Sequence, residues 1–465
     1  MTNKAMLSKF VILVVLAMTV GFLSTFIGMQ QNQALAISIF LCSVMGTLFF
    51  WEFRLSFAFL GTSLLLLFKT IDLKNVIEFA SLEIILFLVG MMILIGLLKE
   101  SGFFAWLVTL LIRRKNLTGR QFVFSICFIS SLLACAVDEV TSIIFMVAAI
   151  LEICDYFEVD PIPFILTSIL ATNIGSAGTV LGNPIGILIA TKSGLTFEDF
   201  ILKAFPLMIV CIIALIGIIL IFYRRQIKEL DQKMKESADN EIFIKLISIP
   251  PEKRLRISLG IFGVTLLFIA LHHRFEIILG LENNTILLIM PLISAALVMI
   301  WQWRKAREYV EKDVDWWTLL FFMMLFVQAG TLRYTGATDV FAARLVNWAG
   351  NNPFALVTST LWISAIGSSI LDNVVLVAGF IPVIQGFKDF GFSLPALWWA
   401  LLFGGCLGGN ITIIGSTANI VALGILEKEG LKKISFLRWF KIGLIVGVVT
   451  TSMVWLGLTV LPYYK

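Results

Sequence analysis

Residues 408–419 read Gly-Gly-Asn-Ile-Thr-Ile-Ile-Gly-Ser-Thr-Ala-Asn and lie inside an otherwise apolar stretch that runs from residue 396 to residue 422. A membrane-spanning helix would be most apolar at this depth, yet glycine and polar side chains gather there. An interrupted helix exposes N–H groups on one half, which suit an anion, and carbonyls on the other, which suit Na⁺. Both are tolerated in a membrane only beside a cavity. The stretch therefore predicts a broken helix at a binding site.

A second stretch of the same kind interrupts the apolar residues 163–190. Residues 175–186 read Gly-Ser-Ala-Gly-Thr-Val-Leu-Gly-Asn-Pro-Ile-Gly. Close helix packing through small residues would account for the glycines. It does not account for Pro184, which removes a backbone donor, or for the neighbouring polar side chains. We therefore expect two discontinuous helices, at 163–190 and 396–422.

The composition places this chain in a membrane. Of 465 residues, 59% are hydrophobic and 14% are charged, the mean hydropathy is +0.99, and there are 40 Phe and 12 Trp. The surface of a soluble protein could not be polar with so many apolar side chains. An all-α polytopic membrane protein is expected, and a soluble enzyme, a nucleic-acid binder and a secreted disulfide scaffold are excluded. With six scattered Cys and two His, no zinc, haem or iron–sulfur cofactor is expected.

The basic residues predict the orientation. About 11 transmembrane helices plus two re-entrant hairpins, with the amino terminus in the cytoplasm, put 26 of the 35 Lys and Arg residues on the cytoplasmic side. This agrees with the excess of basic residues in cytoplasmic loops. We expect a multi-pass protein of the inner (plasma) membrane, with the carboxyl terminus outside. The charged segment 224–256 would be a cytoplasmic linker.

The two halves of the chain resemble each other. Asp138-Glu139-Val140 aligns with Asp372-Asn373-Val374 at an offset of 234, and residues 173–182 align with 406–415 at an offset of 233. Loop 113–120 holds four basic residues, while its counterpart 347–353 holds none. These features predict inverted-topology repeats at 34–223 and 257–465, preceded by a first span at 1–33.

Acidic residues interrupt two further apolar stretches, which we interpret as re-entrant hairpins at 121–153 and 354–388. The first contains Asp138 and Glu139, and the second contains Asp372. Each Asp could simply cap the second helix of its hairpin. A cap needs only Asn or Ser, whereas an acid adds a charge that a mobile ion can neutralise.

The hairpin tips and the two broken helices are expected to meet near the middle of the membrane. The candidate substrate- or ion-binding residues are Asp138, Glu139, Thr141, Asn173, Gly175, Thr179, Gly182, Asn183, Asp372, Asn373, Gly409, Asn410, Thr412, Gly415, Ser416 and Asn419. The same residues could hold Na⁺, and no other metal is expected. Gln328 is interpreted as a helix–helix hydrogen bond, Glu83 as solvated, and Trp316–Trp317 and Trp398–Trp399 as interfacial residues.

The motifs around Asp138, Asn173–Pro184, Asp372 and 407–421 resemble the ion transporter superfamily. The branch that contains arsenite permeases, bacterial Na⁺:H⁺ antiporters and P proteins is similar over roughly residues 50–460. The resemblance implies a homodimer and an elevator movement of a transport domain. Two positions depart from the family pattern: Glu139 replaces an Asn, and Gly186 replaces another Asn. They leave the substrate open.

These observations lead us to expect a secondary active transporter, and not an enzyme, that moves a small inorganic ion or anion with H⁺ or Na⁺. A sodium-coupled di- or tricarboxylate transporter is the alternative, although the tips lack the Ser-Asn-Thr of that branch. A passive channel is a weaker alternative. An intramembrane aspartyl protease would need Gly-x-Gly-Asp, which neither Asp138 nor Asp372 completes.

Overall fold

The computed structural model describes residues 3–26, 28–104, 106–107, 117–236, 253–350, 352–430, 434–461 and 464. Within these ranges every regular element is a helix, and the expected all-α membrane fold is confirmed. The helices of the first half are α1 (Asn3–Phe26), α2 (Gln31–Phe49), α3 (Arg54–Leu67), α4 (Leu73–Phe79), α5 (Leu82–Glu100), α6 (Gly119–Ala136), α7 (Glu139–Tyr156), α8 (Ile162–Gly175), α9 (Pro184–Ser193), α10 (Phe205–Phe222) and α11 (Arg224–Glu236).

The second half is built in the same way. Its helices are α12 (Lys253–Ala270), α13 (His272–Leu279), α14 (Thr285–Trp301), α15 (Trp316–Tyr334), α16 (Ala337–Ala349), α17 (Pro353–Ile370), α18 (Asn373–Gly386), α19 (Pro395–Gly408), α20 (Thr417–Lys428) and α21 (Phe436–Val460). Short helical turns lie at Trp51–Phe53, Phe197–Asp199, Phe200–Ala204, Trp303–Lys305, Ala306–Glu308, Tyr309–Asp313 and Phe387–Phe390.

Many of these helices are long and apolar enough to cross a membrane. Among the described residues nine helices qualify by length and composition, or up to eleven if two bent pairs each count as one span. The qualifying helices include the hairpin helices α6, α17 and α18. They do not include the broken helices, because each half of a broken helix is too short. The sequence predicts about 11 transmembrane helices, which is close to this number. The individual helices differ, because the sequence-based prediction treats α6, α17 and α18 as parts of re-entrant hairpins and not as spans.

The helices of the two halves correspond in position and length. Helices α5 and α15 both have 19 residues and start 234 residues apart (316 − 82). Helices α6 and α17 both have 18 residues and also start 234 apart (353 − 119). Helices α8 and α19 both have 14 residues and start 233 apart (395 − 162). The offsets equal those between the sequence motifs.

Side-chain contacts identify two opposite faces of the protein. On the first face, Glu100 at the end of α5 binds Arg254 at 2.8 Å and also binds Lys305. The Asp160–Arg438 pair, at 3.1 Å, joins the starts of α8 and α21 on that face. On the second face, Glu83 at the start of α5 contacts Lys192 at the end of α9.

The two hairpins enter from these opposite faces. The open end of the first hairpin (α6 and α7) lies on the first face, where Gly119 N donates to Asp231 of α11 and Glu158 pairs with Lys233. The open end of the second hairpin (α17 and α18) lies on the second face, where Arg333 donates to Gln385. Each hairpin therefore points its tip toward the interior from its own side.

Helix α11 is amphipathic and closes the first face beneath α6. Its apolar residues Ile227, Leu230 and Met234 are buried. Hydrogen bonds from Lys235 and from the Gly119 N–H hold the pKa of Asp231 below its usual range. The rest of the expected linker, residues 237–252, and residues 113–116 of the basic loop lie outside the described residues.

The structure contradicts the interfacial prediction for one tryptophan pair, and it stays a prediction for the other. Trp316 and Trp317 are exposed, as interfacial residues should be. Trp398 and Trp399 are buried at the start of α19, and the Trp399 ring packs edge-on against Phe200. Sequence alone cannot separate these cases, because the second pair also follows a loop but lies inside the helix bundle.

Glycines let the broken helices pack directly on the hairpins. A Cβ atom at Gly175 would lie 2.5 Å from the backbone of Ser131, and one at Gly408 would lie 2.2 Å from the carbonyl oxygen of Ala365. Ser131 and Ala365 are themselves 234 positions apart. The same close approach therefore occurs in both halves.

We expect Gly408→Ala to lower the free energy of unfolding by about 1–3 kcal/mol, because an added methyl group must displace backbone atoms of α17. Thermal unfolding in detergent would measure the change. Gly217→Ala in α10 is the matched control, since nothing lies within 4 Å of its added Cβ. Equal midpoints for the two variants would contradict the packing role.

Candidate functional site

Each hairpin turns at an aspartate that caps the following helix. The Asp138 side chain accepts a hydrogen bond of 2.7 Å from Thr141 N at the start of α7. The Asp372 side chain accepts one of 3.0 Å from Val374 N at the start of α18. The capping role considered from the sequence is therefore present at both tips. Only one carboxylate oxygen of each acid is used for it.

The broken helices restart in the same manner. Asn183 Oδ1 accepts a hydrogen bond of 2.9 Å from Gly186 N at the start of α9, and Ser416 Oγ accepts one of 3.2 Å from Ala418 N at the start of α20. Pro184 at the first position of α9 needs no hydrogen-bond partner for its nitrogen.

Eight helix ends meet around the site, and their dipoles largely cancel. Helices α7, α9, α18 and α20 begin there, and helices α6, α8, α17 and α19 end there. A helix start is equivalent to roughly +0.5 charge and a helix end to roughly −0.5. Ionised side chains therefore decide the charge of the site.

The two hairpin tips contact each other at equivalent positions. Asn373 Nδ2 lies 3.4 Å from Glu139 Oε1, and these residues are 234 positions apart. Glu139 is 2% exposed, and its Oε2 atom has no hydrogen-bond partner. The residue that departs from the family pattern thus lies at the centre of the site, with one free carboxylate oxygen.

An asparagine cluster joins the two broken helices. Asn173 Nδ2 at the end of α8 donates to Asn410 Oδ1 and to Asn419 Oδ1, both at 2.9 Å. Asn419 Nδ2 in turn donates to the Gly409 and Thr412 carbonyls, at 2.8 and 3.0 Å. Asn173 Oδ1 and Asn410 Nδ2 are buried without a partner.

The threonines of the breaks hold the hairpins in place. Thr179 Oγ1 donates to the Cys135 carbonyl at 2.5 Å, and Thr412 Oγ1 donates to the Ser369 carbonyl. These hydroxyls tie each break to its own hairpin, so their contacts are structural. Thr141 contributes its backbone N–H to Asp138, and its side chain lines a cavity.

The remaining predicted glycines lie where backbone segments cross. A Cβ atom at Gly182 would meet the Ser176 carbonyl at 2.2 Å, and one at Gly415 would meet the Ser368 carbonyl at 2.7 Å. At Gly409 the nearest atom would be the Gly415 carbonyl at 3.0 Å. These positions shape the breaks without offering a side chain to a ligand.

The second departure from the family pattern also has a structural explanation. A Cβ at Gly186 would lie 2.8 Å from the Val180 carbonyl and 2.9 Å from the Thr179 carbonyl. The backbone of the first break therefore packs so closely against residue 186 that only glycine fits there without a shift. At the equivalent position in the second half (186 + 233), the Asn419 side chain closes the break with its hydrogen bonds.

Three residues join the site that the sequence did not single out. Thr417 Oγ1 donates to Asp372 Oδ2 at 2.7 Å, and Ser176 Oγ accepts from Asn183 Nδ2 at 2.9 Å. Asn183 Nδ2 also lies 3.1 Å from Cys406 Sγ. Thr417 and Ser176 lie inside the polar stretches, whereas for Cys406, beside the second break, the sequence favours a packing role over ligand binding.

A cavity of about 540 Å³ reaches the site from the first face. Its lining includes Asp138, Glu139 and Thr417 at the inner end, and Lys99 and Asp313 toward the first face. The cavity lining also includes Arg54 at the start of α3, Asp315 just before α15 and Thr318 in the first turn of α15.

A second cavity of about 520 Å³ lies toward the other face. Its lining includes Glu78, Lys192, Arg333 and Gln385, and it includes neither Asp138 nor Asp372. Many lining residues of the two cavities are 234 positions apart, such as Lys99 and Arg333 or Ile144 and Ala378. The cavities are equivalent in the two halves, but only the first reaches the tips.

The other minor predictions have mixed outcomes. Gln328 Nε2 donates to the Ala58 carbonyl at 2.9 Å and so joins α15 to α3, as expected for a helix–helix hydrogen bond. Glu83 is only partly solvated, because it pairs with Lys192 at 3.3 Å across α5 and α9.

Comparison with known proteins gives three kinds of match. A family model described as "Citrate transporter" matches residues 47–404. An uncharacterized transporter of Mycobacterium tuberculosis is 29% identical over 374 residues, which cover 80% of this chain and 84% of that protein. The P protein of Homo sapiens is 26% identical over 453 residues, which cover 82% of this chain and 54% of that protein.

A solved structure shares the fold. The YdaH transporter of Alcanivorax borkumensis superposes with a TM-score of 0.55 at 17% sequence identity, covering 83% of this chain and 86% of that chain. Its crystal structure revealed an unusual topology. The likeness extends over both halves of the present chain.

We expect Asn173→Ala to destabilise the protein, because two buried amide oxygens lose their donor at a cost of about 1–3 kcal/mol each. Thermal unfolding in detergent is the measurement. Thr172→Val on the same helix is the control, since it removes a buried hydroxyl that has no partner. An Asn173→Ala protein as stable as this control would show that the cluster does not hold the breaks together.

Proposed function

Because the chain belongs to the family described as "Citrate transporter", we propose that it is a secondary active transporter that couples the movement of a small solute to H⁺ or Na⁺. The observation that carries this proposal is the contact between the two tips, where Glu139 meets Asn373, the neighbour of Asp372, and where Asp138 and Glu139 line the inner end of an open cavity. The proposed role of these carboxylates is to bind and release the coupling cation.

The charge of the site supports a cation. Three acidic side chains lie at the tips, and the described residues of α6–α9 and α17–α20 contribute no Lys, Arg or His to the first cavity. Since the helix dipoles cancel, close carboxylates in a low dielectric favour a proton or Na⁺ that reduces their repulsion. A carboxylate pair that has been neutralised also crosses an apolar barrier at lower cost.

The relation between the two halves supports alternating access. We propose that α6–α9 and α17–α20 form a transport unit that moves against the scaffold helices α2, α3, α5, α14 and α15. Under this proposal the halves are inverted-topology repeats, and the first cavity closes as the second extends to the tips. The excess of basic residues on the first face supports a cytoplasmic amino terminus and an external carboxyl terminus. A homodimer remains part of the proposal.

The solute is proposed to be a small inorganic ion. A di- or tricarboxylate is the second candidate. The family description supports it, and so does the cavity of about 540 Å³, because such a volume suits a small organic molecule. A multiply charged anion would have to enter after the cations, since the tips are acidic.

The proposal is tested by a flux screen in reconstituted vesicles with Na⁺, H⁺, arsenite, sulfate and citrate. We expect accumulation of one solute against its gradient when a Na⁺ or H⁺ gradient is imposed. Uptake that only dissipates gradients would indicate a passive channel. Accumulation of citrate together with Na⁺ or H⁺ would select the second candidate.

We expect Asp372→Asn to abolish coupled transport while expression remains normal, because the amide keeps the shape of the cap but cannot exchange a proton or hold a cation by charge. Coupled flux in vesicles is the measurement. Glu152→Gln, an exposed change on α7, is the matched control and should transport normally. Undiminished coupled flux with Asp372→Asn would rule out its proposed role.

We expect Glu139→Gln to weaken the apparent affinity for the driving cation about tenfold, which corresponds to the loss of about 1.4 kcal/mol of interaction. The amide oxygen can still accept from Asn373 Nδ2, so the contact between the tips is retained. The cation concentration for half-maximal flux measures the effect. An unchanged value would place Glu139 outside the cation site.

A further inference from the structure

One basic side chain of the scaffold reaches the cavity beside the acidic tips. Arg54, at the start of α3, is 5% exposed, and its guanidinium lies 3.9 Å from the centre of the Trp51 ring and 5.1 Å from that of Phe321. Nη2 donates to Thr318 Oγ1 at 2.9 Å, and Nε is buried without a partner. Two aromatic rings and a hydrogen bond therefore fix the cation on the scaffold.

Arg54 shares the first cavity with Asp315 and with Thr417, whose hydroxyl binds Asp372 at 2.7 Å, so both carboxylates lie within electrostatic reach of its guanidinium. Asp315 belongs to the scaffold and accepts a hydrogen bond of 2.6 Å from Thr318 Oγ1, the same hydroxyl that Arg54 contacts. Asp372 belongs to the transport unit and also accepts from Thr417. Arg54 thus attracts one fixed acid and one that would move.

Apart from the acidic tips, Arg54 and Asp315, the charged residues around the first cavity lie on the scaffold or beside it. They are Glu52, Lys99, Lys312 and Asp313, and Lys99 pairs with Asp313 at 3.8 Å. Their positions relative to Arg54 would not change when the transport unit moves. The attraction between Arg54 and the acidic tips would change.

This attraction exists in one half of the chain only. The position equivalent to Arg54 (54 + 234) is Leu288 of α14, which carries no charge. Suppose that the two halves exchange roles when the transport unit moves to its opposite position. Asp138, the equivalent of Asp372, would then face the uncharged Leu288 and not an arginine. The scaffold would therefore attract the ionised tips more strongly in the position seen here than in the opposite position.

We propose that Arg54 is an electrostatic catch that holds the cation-free transport unit in the position seen here. Binding of a cation at the tips cancels the attraction and releases the unit. A catch of this kind prevents the empty unit from returning, so the protein would work by exchange of cations rather than by one-way flux. This inference rests on the proposed function.

The test measures the position of the transport unit directly. Cysteines replace Glu83 and Lys192, whose side chains pair at 3.3 Å across scaffold and transport unit on the second face, and a short thiol cross-linker is applied in choline chloride at alkaline pH. We expect high cross-linking with Arg54 present. Arg54→Gln should reduce it at least threefold, while Arg54→Lys, which keeps the charge, should retain most of it.

A second variant serves if Arg54→Gln does not fold. Asp372→Asn removes the moving partner and should reduce cross-linking to a similar extent, and the double variant should show no further reduction, because both changes break one interaction. Equal cross-linking in the protein with Arg54 and Asp372 intact, in Arg54→Gln, in Asp372→Asn and in the double variant would contradict the proposed role of Arg54.

The outcome is separable from that of the proposed function. A wild-type protein that moves none of the screened ions would contradict the transporter proposal while the cross-linking pattern still reported on Arg54. If the wild type shows coupled flux but substitution of Arg54 or Asp372 leaves cross-linking unchanged, the proposed role of Arg54 is wrong and the transporter proposal stands.

Discussion

The contact between Glu139 and Asn373 is the point on which the rest of the structure depends. It joins equivalent positions of two hairpins that enter from opposite faces, and it places an acid with a free oxygen in the protein interior. A buried carboxylate is costly unless it is protonated or paired with a cation. The asparagine cluster and the Asn183 and Ser416 caps of the broken helices use amides and hydroxyls, so they hold the site together without neutralising it.

The close packing of the two halves follows from the same arrangement. Two short helices that stop in the protein interior can lie beside a hairpin only if their backbones nearly touch, which Gly175 and Gly408 permit. Thr179 and Thr412 then fasten each break to its hairpin through equivalent hydrogen bonds. Small and polar residues in these stretches therefore serve packing as well as any ligand, and the two explanations considered from the sequence apply to different positions of the same motif.

Most of the fold could be predicted from the sequence because strong, local signals determine it. The apolar stretches, the glycine-rich breaks and the offset of 234 identified the hairpins and broken helices to within a few residues. The roles of single side chains depend on neighbours that are far apart in the chain. Arg54 looked like an ordinary basic residue beside a span, and Trp398–Trp399 looked interfacial, because no sequence pattern states which helix face the bundle covers.

The cancellation of the eight helix dipoles has a consequence for how such proteins diversify. A pocket whose backbone contributes almost no net charge takes its overall charge from a handful of side chains at the turns. Under the proposed function, exchanging one of them, as at Glu139, would alter the preferred solute while the surrounding architecture stays intact. Under the proposed function, one scaffold could therefore serve solutes of different charge through a few substitutions at the turns.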